Sequence, residues 1–201
     1  YYAVPLEETL EAMDQLVRAG KVCHVGASNY ASWQICRMLW LAGQNGLPVV
    51  GVTEPMYNLI ARGIEQELLP MCRTLGVATV VYNPLAGGLL TGKHRGGAPL
   101  PGTRFDFLKS YVDRYWHDAN FTAVQELTAI AAQSNRSLVS LALNWVLHHS
   151  GADCLIIGAS KLEHLEENLR AVEEGALPAV AVAACDSVWD RLRGSSPKYN
   201  R

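Results

Sequence analysis

The chain has 201 residues, 49% of them hydrophobic and 18% charged, with a formal net charge of −2. This is an ordinary globular composition, long enough for one domain with a sizeable core. The charge balance carries no basic footprint for nucleic acid or an anionic membrane, no apolar run approaches the ~20 residues of a membrane helix, and no signal segment follows Tyr1, so the expected location is the cytoplasm.

Residues 5–19 place Leu6, Leu10, Met13, Leu16 and Val17 at helical spacing, with Pro5 suited to the first turn and Gly20 to the stop. Val22 to Ala27 reads as a short buried strand and 32–43 as a second helix. Val49 to Thr53 is the next strand, 62–75 a helix ending at Gly76, and Val77 to Tyr82 a β-branched strand. Residues 84–103 are rich in Gly and Pro and read as loop; 104–118 are basic and aromatic. Helices are expected over 120–133 and 137–149, a last strand over Asp153 to Ile157, and two more helices over 161–174 and 178–193.

Strand followed by helix, four times over, implies parallel strands with helical crossovers. The strands are apolar throughout, as when both faces are buried. Units of about 25–30 residues match a (β/α)8 barrel, about 250 residues in eight units. The expectation is therefore α/β, the C-terminal half of a (β/α)8 TIM barrel. It holds four units plus a strand stub at Tyr1-Tyr2, is incomplete as given, and forms one domain over 1–201 with 84–118 as a loop over the site.

Barrel sites are built at strand ends. Here those ends carry Ser28-Asn29, Glu54, Tyr82-Asn83 and Gly158-Ala159-Ser160. The last opens a helix with a capping-box pattern, Ser160 then Glu163, whose free N–H groups favour an anion beside Lys161. From this segment alone, an ordinary capped helix is the plainer reading. Residues 87–93 also fit G-x-x-x-x-G-K, the P-loop pattern. His94 stands where a magnesium-holding Ser or Thr belongs, and Gly96-Gly97-Ala98-Pro99 cannot open a helix, so a P-loop is rejected. Its glycines still allow backbone to approach a ligand closely. The five cysteines, odd in number and widely spaced without C-x-x-C, read as reduced core thiols, and no metal site is expected. His24 reads as packed in its strand, and His148-His149 as a dipole-suited helix end.

Four segments in order resemble the aldo-keto reductase family. They are Gly26 to Tyr30, Pro55 to Leu59, Tyr82 to Lys93, and Ile157 to Ser160 continuing to Glu166-Glu167-Asn168. With the closing Ser196 to Arg201, they most resemble the branch containing aflatoxin aldehyde reductases and succinic semialdehyde reductases. The resemblance implies NADP(H) as cofactor and a small-molecule carbonyl as substrate. It implies that Ser28 and Asn29 hydrogen-bond the nicotinamide carboxamide. Glu54 stands where the family usually has Gln: a carboxylate can accept from the carboxamide but cannot donate. Tyr82 matches the aromatic that stacks on the nicotinamide ring. Leu85, Gly88 and Lys93 match the loop around the pyrophosphate. Gly158, Ser160, His164, Glu167 and Asn168 match adenosine-end positions, with Lys161 and Arg104 as further candidates for a 2′-phosphate.

The family's catalytic Asp, Tyr and Lys come from an N-terminal half that this sequence does not contain. Its substrate-orienting His has no match before His24, so no catalytic residue is carried over. The expected function is NADPH-dependent reduction of aldehydes or ketones, with this chain supplying the cofactor-binding half of a longer protein. A non-catalytic NADP(H)-binding or interaction module, or an inactive fragment, stays open beside it, as does a homo-oligomer.

Overall fold

The computed structural model describes residues 4–195. The expected strand stub at Tyr1-Tyr2 and the closing Ser196 to Arg201 lie outside the described residues. The chain is α/β, with strands and helices alternating in the pattern of part of a (β/α)8 barrel. It divides into two compact units. One runs to Pro55 and resumes over Ile64–Val81; the other takes Met56–Gly63 and continues from Tyr82.

In the first unit α1 (Leu6–Arg18), β1 (Val25–Ser28), α2 (Ser32–Asn45), β2 (Val50–Glu54), α3 (Leu68–Leu75) and β3 (Ala78–Val81) follow one another. β2 pairs in parallel with β1 and with β3. Residues at period 3–4 make the helix faces: Leu10 of α1 and Ile35, Met38 and Leu41 of α2 are buried with Val25, Ala27 and Val50 of the strands. Leu68 and Cys72 of α3 and Val77 complete that core. The unbroken helix expected over 62–75 is instead a 3-10 turn at Gly63–Glu65 and α3 from Leu68. Pro70 explains the break. It has no N–H for an i→i−4 bond and its ring would clash with the turn below, so a helix holding it can start only just before it. β1 is shorter than expected. It begins at Val25, leaving His24 exposed before the strand rather than packed inside it.

The second unit contains the 3-10 turns Ala86–Thr91, α4 (Arg104–Phe107), α5 (Lys109–Tyr115), α6 (Asp118–Gln133), α7 (Leu138–His149), β4 (Cys154–Leu155), α8 (Leu162–Glu173) and α9 (Ala179–Arg193). α7 is the core helix: Leu138 through Val146 are all buried. Val139 and Leu143 pack with Ala171 of α8, and Leu85, Leu155, Ile157 and Val172 surround them. Two arginines tie the unit together. Arg62 lies 4.5 Å over the Trp145 ring and pairs with Asp186 of α9 at 2.7 Å. Arg136 donates to the carbonyls of Glu174, Gly175 and Ala176 at 2.8–3.0 Å, satisfying groups just past α8 that the helix leaves open.

The expected loop over 84–103 is partly ordered as 3-10 turns, and 104–118 folds as α4 and α5. β4 spans two residues rather than five, because an apolar run records burial and does not by itself fix where a strand stops. Of the expected core thiols only Cys72 and Cys185 are buried; Cys23, Cys36 and Cys154 are exposed. Burial pushes the Cys185 thiol up to about 12, so it is inert as a nucleophile.

Candidate functional site

In the first unit the ends of β1 and β2 bring Ser28, Asn29 and Glu54 together. The register pairs Ser28 with Glu54. Asn29 Nδ2 donates to Ser28 Oγ at 2.9 Å, and Ser28 Oγ donates to the Glu54 carbonyl at 3.0 Å. Asn29 has φ 60°, a left-handed conformation that Asn tolerates and that ends the strand sharply. All three side chains are exposed. They offer a hydroxyl, an amide and a carboxylate, the donors and acceptors that a primary carboxamide needs.

In the second unit the segment from Tyr82 to Lys93 is held from below. Met56 bridges Tyr82 in parallel, and the Tyr57 N–H donates to the Tyr82 carbonyl at 3.1 Å. Asn83 has φ 65° and its Oδ1 accepts the Gly87 N–H at 2.7 Å, closing the turn. Asn58 Nδ2 donates to the Asn83 carbonyl at 3.0 Å and to the Tyr115 hydroxyl at 3.1 Å. Asn83 Nδ2 donates to the same hydroxyl at 2.9 Å, and that hydroxyl donates to Met56 Sδ at 2.9 Å. Burial pushes the Tyr115 phenol up to about 12, so it works as a neutral hydrogen-bonding hub. Nothing in the sequence flags these roles. Asn58 and Asn83 sit inside recognisable motifs, but Tyr115 is one aromatic among several.

Above this base the chain passes through left-handed glycines. Gly87 has φ 69°, and a Cβ there would lie 2.6 Å from the Tyr111 ring. The aromatic layer of α5 therefore rests directly on the backbone at Gly87. Gly88 has φ 106°, and a Cβ there would lie 3.7 Å from Lys93 Cε and 3.8 Å from Nζ. The lysine thus holds its ammonium over bare backbone, a cradle that suits an anion. Lys93 is exposed and has no acidic partner among the described residues. Next to it His94 is buried edge-on to Phe105 and Trp116, with centroids 5.1 Å from each, and neither ring nitrogen has a hydrogen-bond partner among the described residues. Burial, then the charge of Lys93, lowers its pKa. Tyr82 and Leu85 are partly exposed; Leu85 packs on the cluster that also holds Leu155 and Ile157 of the last strand region.

Gly158 and Ser160 follow β4 and are exposed. The capping box expected between Ser160 and Glu163 does not form. The N-cap of α8 is Lys161, without a side-chain cap, and the Ser160 hydroxyl instead lies 3.4 Å from His164 Nδ1. Starting the helix one residue later moves Ser160 out of capping position and leaves its hydroxyl and Lys161 facing solvent. His164 and Glu167 are exposed on α8, whereas Asn168 is buried. Of the other histidines, His149 Nε2 accepts the Leu177 N–H at 2.9 Å, and His117 lies 2.9 Å from the Asp113 carbonyl. Both are structural contacts. Among the described residues no group of three or more His, Cys, Asp or Glu could hold a metal ion, and no helix is long and apolar enough to cross a membrane.

The sequence matches the Aldo/keto reductase family over residues 1–190. It is 38% identical to aflatoxin B1 aldehyde reductase member 2 of Mus musculus, over 100% of this chain and 59% of that protein. It is 39% identical to aldo-keto reductase family 7 member A3 of Homo sapiens, over 100% of this chain and 65% of that protein. With L-glyceraldehyde 3-phosphate reductase of Escherichia coli (strain K12) the identity is 32%, over 84% of this chain and 49% of that protein. The chain thus spans about three fifths of the length of the aldehyde reductases it matches.

Proposed function

The chain belongs to the aldo/keto reductase family, and on that premise we propose that it is the NADP(H)-binding part of an oxidoreductase that reduces aldehydes and ketones. The observation that carries this reading is Lys93, an ammonium with no acidic partner among the described residues that lies over the open backbone of Gly88 in a run of left-handed glycines. Such a cradle suits a pyrophosphate through both charge and backbone access. Ser28, Asn29 and Glu54 suit the nicotinamide carboxamide by the complementarity of their donors and acceptors. Tyr82 offers a ring to the nicotinamide. Ser160, Lys161 and His164 are exposed polar groups at the start of α8, fit for the adenosine phosphate end, with Gly158, Glu167 and Asn168 beside them in sequence. Residues 84–118 cover the cofactor in this reading.

When bound, the cofactor supplies the hydride. The residues of this chain bind it and orient it, and none of them is assigned as a proton donor. The substrates we propose are polar carbonyl compounds such as dicarbonyls or semialdehydes, in keeping with relatives named for aldehyde reduction. The cytoplasm is the proposed location. The test is calorimetric titration of NADPH and NADH into the full chain. The expected result is saturable binding, tighter for NADPH and weakened about tenfold or more in Lys93→Ala. No saturable binding of either form overturns the reading.

A further inference from the structure

Glu54 differs from every other group at the carboxamide position in carrying a charge. Its neighbours in the register fix where that charge points. Ala27 and Thr53 form one pair across β1 and β2, and both are buried. Ser28 and Glu54 form the next pair, and both are exposed. Successive side chains of a strand alternate between faces, and paired positions share a face. Ser28 and Glu54 therefore stand side by side on the open face, about one strand spacing of ~4.8 Å apart. Gly26 and Val52 lie one pair-step back on that face, where a Cβ on Gly26 would meet Val52 Cγ1 at 2.7 Å. Gly26 is exposed and Val52 half-buried, so this face stays open from there to the strand ends. No cation within ion-pair distance neutralises the Glu54 carboxylate among the described residues.

We infer that Glu54 biases this site toward the oxidised form of its nicotinamide cofactor. The inference rests on the carboxamide reading of Ser28 and Asn29 proposed above. The oxidised ring is a cation, and the reduced dihydropyridine ring is neutral. The carboxamide is bonded directly to that ring. A carboxylate beside a carboxamide held at Ser28 and Asn29 therefore lies roughly 6 Å from the ring, a little more than one strand spacing. Coulomb attraction over that distance is worth about threefold in affinity at the dielectric of water and about a hundredfold at the value typical of protein surfaces, so about tenfold is expected. The neutral ring gains nothing comparable. For a two-electron couple a tenfold preference lowers the potential of the bound cofactor by about 30 mV and makes the bound reduced form a stronger hydride donor.

The test is the ratio of dissociation constants for NADP⁺ and NADPH, measured on the full chain as wild type, Glu54→Gln and Glu54→Asp. Glu54→Gln keeps shape and removes charge, and Glu54→Asp keeps charge. The ratio of the NADP⁺ constant to the NADPH constant is expected to rise about tenfold in Glu54→Gln and to stay within about threefold of wild type in Glu54→Asp, on the same Coulomb scale. If wild type binds both forms and Glu54→Gln leaves the ratio unchanged, this inference is overturned while the cofactor reading stands. If wild type binds neither form, the cofactor reading itself is overturned, and this inference with it.

Discussion

Replacing Tyr115 by Phe removes one oxygen from a buried network and leaves the ring in place. That oxygen accepts from Asn58 Nδ2 at 3.1 Å and from Asn83 Nδ2 at 2.9 Å, and it donates to Met56 Sδ. Asn58 is 0% exposed, Asn83 9% and Tyr115 1%. Water therefore has little access to take the place of the hydroxyl. Two amide N–H donors would be stranded, each at a cost of about 1–3 kcal/mol, with some recovered by relaxation. The expected loss of stability is about 3 kcal/mol. With a urea slope of about 1–3 kcal/mol per molar, the midpoint falls by roughly 1 M or more. The loss on Tyr115→Phe does not depend on pH from 6 to 9, because the phenol, held at about 12, stays protonated. The same variant loosens Asn83, which closes the turn onto the Gly87 N–H, so NADPH affinity falls along with stability. A midpoint within about 0.2 M of wild type, well inside one stranded donor's cost, would refute the hub role of Tyr115.

Three further outcomes are expected. In Gly87→Ala the new methyl meets the Tyr111 ring at 2.6 Å on a backbone of φ 69°; a loss of about 2 kcal/mol by thermal unfolding follows, partly restored by adding Tyr111→Leu, and no restoration would contradict the clash. Arg62→Lys keeps the charge near Asp186 but loses the planar stack 4.5 Å above Trp145, so the melting temperature drops by several degrees, as expected for about 1–2 kcal/mol; a melting temperature equal to wild type would argue against the stack. Burial lowers the pKa of both His94 and His149, so each native imidazole resists a proton that the unfolded chain accepts below about pH 6.5. Their contribution to stability is whole above that pH and is lost as the pH falls through the lowered native values. Melting scans from pH 8 to 5 should show the decline, with a shallower slope in His149→Gln, whose amide oxygen can still accept from the Leu177 N–H; an equal slope in that variant would rule out the His149 part.

The alternation of apolar runs with helical stripes was enough to order the elements, because burial imposes period 2 or 3.6 locally and the sequence records it. Ser28, Asn29 and Glu54 were legible as strand-end groups, and β1 and β2 do set Ser28 and Glu54 in register, with Asn29 next in the chain. What escaped depends on partners far away in the chain. The helix break at Pro70 was readable in principle, yet a run of helix formers on both sides masked it. The two-residue length of β4 was not legible, because the apolar run from Cys154 to Ile157 records burial and not where the strand stops. The Ser160 cap depends on the residue at which α8 starts, and a shift of one residue is below what spacing can resolve. The Asn58–Asn83–Tyr115 network joins three elements up to 57 residues apart, so only coordinates reveal it.

The central claim is that this chain binds a nicotinamide cofactor. Amide hydrogen exchange on the full chain, with and without saturating NADPH, tests it most directly. Protection is expected at Ser28-Asn29, along 83–93 and over 158–168, with little change in the last turns of α6 and α9. No protection at saturation, or protection confined to other segments, would contradict the claim.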